Sequence, residues 1–92
     1  MSQVFRDDTA RLLVEFKDYQ GKVIHPNEVS LTIYDELENL ISQISATQIK
    51  QDGNKYYYDY VHGMPTNYIF EFRGIYEYSP VLCRQFVKVV FV

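Results

Sequence analysis

The sequence predicts an all-β protein, an antiparallel β-sandwich of six to seven strands. Apolar and polar residues alternate with a period of two, most clearly in residues 28–34, so each extended segment has one buried face and one wet face. The chain also contains nine Tyr and six Phe, whose rings suit a pleated, half-buried surface. Turn signals recur about every ten residues, which is typical of sandwiches and small barrels.

Length and charge define the class of protein. Ninety-two residues make one domain with one core. The net charge is −3 and the Lys and Arg residues are scattered, so we expect no nucleic-acid partner and no membrane partner. Cys83 is the single cysteine and cannot form an internal disulfide. Without a signal-peptide pattern or an apolar run of about 20 residues, we expect synthesis in the cytoplasm.

The chain begins with a short polar segment. Residues 1–8 predict a mobile arm, or a segment that orders on a partner, and residues 9–92 predict the single sandwich domain. The first strand is expected over residues 9–17. A turn follows at residues 18–21, where Gly21 can adopt a positive φ.

The next elements are a short strand over residues 22–27, a bend at Pro26 and a strand over residues 28–34. Val29, Leu31 and Ile33 alternate with Ser30, Thr32 and Tyr34, and we expect the first three to be buried.

Residues 35–50 fit two structures. Leu37, Leu40, Ile41 and Ile44 have the spacing of one helix face. Alternation and the Ser, Thr and Ile content favour a strand over residues 40–49, and we prefer the strand because both flanks are strands.

The second half repeats the strand pattern. Asp52-Gly53-Asn54 predicts a turn, and residues 55–61 predict a strand with Tyr56, Tyr58 and Tyr60 on one face. After a loop at residues 63–67, the next strand should bury Tyr68, Phe70 and Phe72.

The chain then approaches its last strand. Gly74 suggests a bulge or bend, and Ser79-Pro80 is expected to break the strand. The last strand is expected over residues 81–92, with Val87, Val89 and Phe91 opposite Phe86, Lys88 and Val90.

The residue types of catalysis and metal binding do not form a recognisable set. His25 and His62 have no metal spacing and are expected in loops near turns, and Cys83 is expected to be a core or half-buried residue. The acidic residues Asp35, Glu36 and Glu38 are expected in a solvated turn and not in a Ca²⁺ site. We therefore expect neither an enzyme nor a cofactor or metal site.

Two aromatic and apolar features are candidate interfaces. Alternation places Tyr57 on the outer face, with Ile69, Tyr76 or Tyr78 as expected neighbours, and exposed rings can anchor a protein interface or stack on a sugar. Cross-strand aromatic pairing that stabilises the sheet is the alternative. In the last strand, Phe86, Val90 and Val92 make the second face apolar as well, which indicates cover from a loop or a partner subunit.

Two segments resemble immunoglobulin-like modules. Residues 16–35 read Phe-Lys-Asp-Tyr-Gln-Gly-Lys-Val-Ile-His-Pro-Asn-Glu-Val-Ser-Leu-Thr-Ile-Tyr-Asp, and they are similar to the opening of such modules with the pattern D-x-x-G…P-x-x-V-x-L-x-I-Y-D. Residues 52–60 and 68–74 are similar to the second half. The combination resembles small Ig-like structural proteins of tailed bacteriophages and prophages, from the head, neck or tail region. The chain lacks the Cys pair and the Trp of antibody-type domains.

This resemblance implies an Ig-like sandwich and a virion location. Its partners would be other virion proteins, and the chain would form a homo-oligomer or ring in the particle at the head–tail junction, tail or capsid surface. The alternative is an Ig-like binding module of a bacterial surface or secreted protein, with a protein or carbohydrate ligand.

Overall fold

The computed structural model describes residues 2–5, 9–63 and 66–90; of residues 2–5 and 90 it describes the backbone. The described residues form eight β-strands and one short 3-10 helix, and contain no α-helix. In chain order these are β1 (Ser2–Phe5), β2 (Thr9–Val14), β3 (Asn27–Asp35), β4 (Leu40–Ile44), the 3-10 helix (Ala46–Gln48), β5 (Lys50–Asp52), β6 (Lys55–Val61), β7 (Tyr68–Tyr76) and β8 (Ser79–Val90).

The strands make two sheets. The larger sheet has the order β1-β8-β7-β3-β4 and the smaller has the order β2-β6-β5. Seven strands pair antiparallel, four in one sheet and three in the other, while β1 lies parallel to β8. This arrangement confirms the predicted all-β, antiparallel Ig-like sandwich, because β2-β6-β5 and β8-β7-β3-β4 divide the chain between the sheets as an immunoglobulin-like fold does.

One core lies between the sheets. Leu12, Val14 and Tyr56 of the smaller sheet pack with Leu31, Ile33 and other inward residues of the larger sheet. All six residues that alternation placed in the core are buried, which confirms that prediction: Val29, Leu31, Ile33, Tyr68, Phe70 and Phe72. Period-two alternation succeeds here because each sheet covers only one face of the other.

The first predicted strand is too long. β2 ends at Val14, and the chain turns inward to bury Phe16, whose carbonyl accepts the N–H of Ile24 at 3.0 Å. The strand predicted over residues 22–27 is reduced to a single bridge between Lys17 and Val23. The predicted turn is present, since the Asp18 carboxylate accepts the N–H groups of Gln20 and Lys22 at 2.9 Å.

The strand alternative for residues 35–50 is confirmed in its first half and the helix is not formed. The predicted strand over residues 40–49 ends at Ile44, because the chain leaves the larger sheet there and enters the smaller one at Lys50. The Asp35 carboxylate closes the β3–β4 loop by accepting the N–H groups of Leu37 at 2.9 Å and Asn39 at 2.8 Å.

The prediction that Ser79-Pro80 breaks the strand is wrong. β8 begins at Ser79, opposite Tyr76, and the hairpin closes through two residues, Glu77 and Tyr78, at φ 50 and φ 67. A two-residue hairpin with positive φ at both positions matches the twist of its strands, and proline is tolerated near the start of a strand. The last strand therefore runs from Ser79 to Val90, and residues 91 and 92 lie outside the described part of the chain.

The segment that we expected to be a mobile arm is partly a strand. Ser2–Phe5 pair with residues 87–90 on the free edge of β8. This pairing joins backbone groups and needs no particular side chains, so a short polar segment can make it without a signal in its sequence. Residues 1 and 6–8 lie outside the described residues.

Candidate interaction surface

An apolar row crosses the outer face of the larger sheet. Tyr34 of β3 lies opposite Leu40 of β4 on one side and opposite Ile69 of β7 on the other, and Ile69 lies opposite Phe86 of β8. The side chains at the two ends are the most open, with Leu40 57% and Phe86 37% exposed. These four residues are called the apolar row, and they give four adjacent strands a common water-facing contact surface.

A buried carboxylate lies beside the apolar row. The Glu71 side chain is only 4% exposed, although it projects from the outer face of β7. Its Oε1 accepts from Arg84 Nη2 at 3.0 Å and Nε at 3.2 Å, and its Oε2 accepts from Arg73 Nη2 at 3.3 Å. The two arginines cover Glu71 and supply the donors that a buried carboxylate needs.

Arg84 also fixes the β3–β4 loop against the sheet. Its guanidinium donates to Glu38 of that loop and lies 5.3 Å from the ring centroid of Tyr34. Hydrogen bonds to Glu38 and Glu71 raise the pKa of Arg84 above its usual value. The positive charge of Arg84 is therefore shared between two carboxylates, and its planar guanidinium lies beside the apolar row.

An open depression borders the row on the other side. Its lining brings the acidic β3–β4 loop, including Glu36 and the 82% exposed Leu37, together with Lys88 of β8. Among the described residues, Lys88 and Glu36 form no ion pair within 4 Å. Opposite charges thus line the same depression.

Tyr57 is on the other side of the molecule. It lies on the outer face of the smaller sheet, opposite Leu13 and Lys50. Arg11 lies over its ring, 4.2 Å from the centroid, and donates to Asp59 at 2.9 Å. The hydrogen bond from Arg11 lowers the pKa of Asp59. The neighbours expected for Tyr57 are wrong, because Ile69, Tyr76 and Tyr78 do not belong to the smaller sheet. The cross-strand partners of Tyr57 are Leu13 and Lys50, neither of which is aromatic.

The remaining candidate residues are dispersed. Ile69 and Phe86 meet in the apolar row, whereas Tyr76 is half-buried against the core and Tyr78 is fully exposed at the tip of the β7–β8 hairpin. The side chains of Val90 and Val92 lie outside the described part of the structure. Sequence reasoning missed Tyr34, although alternation already placed it outward. It also missed Leu40, whose place beside Tyr34 depends on a register shift where β4 has one extra residue, Ile41.

His62 lies in the loop after β6, as predicted, and its side chain is buried. Its ring lies between Tyr60 and Tyr68, with centroids 5.7 and 4.5 Å away. Nε2 lies 2.9 Å from the Thr66 carbonyl oxygen and must donate, so neutral Nδ1 accepts from the Tyr60 hydroxyl at 2.9 Å. Burial lowers the pKa of His62 and raises the pKa of Tyr68 to about 12. This polar cluster closes one end of the core.

The groups considered for chemistry remain apart. Within residues 9–63 and 66–89, no three His, Cys, Asp or Glu side chains come together as a metal site. Cys83 is half-buried, and burial raises the pKa of its thiol. The described ranges hold no helix of the length and apolarity that a membrane span needs.

Comparisons of the chain with protein-family models, with curated proteins and with solved structures found no match. Its fold and its surface chemistry are therefore the observations from which a function has to be inferred.

Proposed function

We propose that this protein is a structural subunit of a tailed-bacteriophage particle. It would act without catalysis, by binding other virion proteins at the head–tail junction, the tail or the capsid surface. The observation that supports this proposal most is the apolar row, which leaves Leu40 and Phe86 open to water on the outer face of the larger sheet. The resemblance of residues 16–35, 52–60 and 68–74 to small phage Ig-like proteins supports the virion location.

The chemistry of this face suits a protein partner. Apolar surface that leaves water contributes about 25 cal/mol per Å², so covering the row stabilises a complex. Tyr34 belongs to the row and Arg84 lies beside it, and aromatic and Arg side chains dominate the binding energy of many interfaces. Glu38 and Lys88 at its border fit the polar rim of such an interface.

Electron microscopy of particles made with and without the gene tests the proposal. We expect particles without the protein to be incomplete or to lack defined density. A Phe86→Asp variant should fail to enter particles, because it places a charge in the row. Val61→Asp is the matched control, since Val61 is 53% exposed at the end of β6 in the smaller sheet. Normal particles with no missing density, made without the gene, would reject the virion role.

A binding module of a bacterial surface or secreted protein is the second candidate. Tyr78 favours it, because its ring is fully exposed at the tip of a tight hairpin and can stack on a sugar or enter a protein pocket. Glycan-array binding by the purified protein that disappears in Tyr78→Ala and persists in Tyr57→Ala would support this candidate.

A further inference from the structure

We propose that the outer face of the larger sheet binds a second copy of this chain, related by a two-fold axis that runs along the strands between β3 and β7. The inference rests on the proposed function in one respect, that this face is an assembly surface. It adds the identity of the partner and the orientation of the contact.

The register makes the apolar row complementary to itself. Across the sheet from β4 to β8, the row contains Leu40, Tyr34, Ile69 and Phe86. A two-fold rotation about an axis between Tyr34 and Ile69 places Leu40 of one copy over Phe86 of the other, and Tyr34 over Ile69. The exposed Leu40 of each copy thus meets the exposed Phe86 of the other, which is the reciprocal contact that an isologous interface requires.

The charges at the border obey the same symmetry. Lys88 follows Phe86 on the same face of β8, while Glu36 and Glu38 lie in the loop between β3 and β4 at the same end of the sheet. The rotation that superposes the rows carries Lys88 of each copy towards the acidic loop of the other. Arg84 brings no unpaired charge into the contact, because Glu71 and Glu38 already accept from it.

The size of the face sets the expected affinity. Four strands about 4.8 Å apart and about seven residues long form a face with a planar area of roughly 450 Å². Projecting side chains add to this area. A standard stable interface buries about 800 Å² on each partner, so this contact is at the small end of specific interfaces. We therefore expect a reversible dimer with a dissociation constant of about micromolar magnitude.

Sedimentation equilibrium over a concentration series tests the dimer. The wild-type mass should rise from 10.9 kDa towards twice that value. Leu40→Asp and Phe86→Asp should each remain at the monomer mass, while Val61→Asp should dimerise as the wild type does. Circular dichroism spectra that match the wild-type spectrum would show that each variant is folded. A wild-type chain that stays monomeric at about 1 mM, well above micromolar affinity, overturns the proposal.

A charge exchange tests the orientation. Lys88→Glu alone and Glu36→Lys alone place like charges against each other at both ends of the dimer, and each should lower the dimer affinity at least tenfold. Mixing the two variants should restore association. In the mixed dimer the two substituted positions face each other with opposite charges, and the other pair keeps its native residues. If mixing changes nothing, the proposed two-fold orientation is wrong.

The outcomes separate this inference from the proposed function. A monomer whose Phe86→Asp variant is excluded from particles overturns the dimer and keeps the virion role. A dimer that is absent from particles keeps the inference and overturns the virion role.

Discussion

A Cβ atom on Gly74 would lie 2.7 Å from the Cβ atom of Pro26. It would also lie 3.2 Å from Cγ2 of Val29 and 3.3 Å from the carbonyl oxygen of Asn27. The cause is a bulge in β3, where two residues, Glu28 and Val29, face the single position of Gly74 on β7. The bulge predicted from Gly74 is thus present, but it belongs to the neighbouring strand, and the glycine leaves room for it.

Gly74→Ala should destabilise the protein by about 1–3 kcal/mol, because the added methyl meets ring and backbone atoms that cannot rotate away. Urea unfolding would measure the loss. In a Pro26→Gly background, which removes the closest carbon atom, the same substitution should cost less. Equal losses in the two backgrounds would show that Pro26 is not the source of the conflict.

Phe70→Ala should cost roughly 3–5 kcal/mol, a large part of the stability of a domain this small. Phe70 is 3% exposed and its ring packs edge-on against Phe72 at 5.8 Å. Phe86→Ala is the control, since it removes the same ring from the outer face and should cost far less. A loss below about 1 kcal/mol for Phe70→Ala would remove Phe70 from the core.

The core was predictable because its signal is local. Val29, Leu31 and Ile33 alternate along one strand, and the same rule identifies the buried residues of β7. β1 gave no such signal, since its contacts with β8 are between backbone groups. The end of β2 at Val14 was equally hidden, because the chain continues to bury Phe16 after it leaves the sheet.

The candidate surface was predictable only in part. Alternation gives the face of a strand but not the sheet that the strand joins, so Tyr57 was placed beside residues that lie on the opposite sheet. Ile69 and Phe86 were found separately, and their contact follows from a register set by a hairpin turn of Glu77 and Tyr78 that carries no standard turn residue. Burial of Glu71 depends on Arg84, thirteen positions further along the chain.

Stability should fall as the pH drops below about 6.5, the ordinary pKa of histidine. Burial lowers the pKa of His62 in the folded protein. As the pH falls below 6.5, His62 is therefore protonated in the unfolded chain while it is still neutral in the folded protein. The stabilisation that neutral His62 provides is therefore complete above its pKa in the unfolded chain. It is lost as the pH falls towards its lower pKa in the folded protein. Urea titrations at about pH 5 and about pH 8 would measure it.

The matched variants for this pH effect are His62→Gln and His25→Gln. The first should flatten the dependence between these two pH values. The second is the control, because the His25 side chain is exposed and, among the described residues, has Asn54 at 3.1 Å as its side-chain hydrogen-bond partner. An unaltered slope in His62→Gln would assign the pH dependence to other groups.

Arg84→Met should destabilise the protein more than the double substitution Arg84→Met with Glu71→Leu. The single change leaves the Glu71 carboxylate buried, with only the 3.3 Å contact to Arg73, whereas the double change removes the buried charge together with its partner. Arg11→Met is the matched control, because it breaks an ion pair whose side chains are 55% and 39% exposed, and exposed pairs contribute little.

A double-mutant cycle in urea would measure the coupling between Arg84 and Glu71. Additive losses would mean that Arg84 does not compensate the buried carboxylate, and that its contacts with Tyr34 and Glu38 account for its effect.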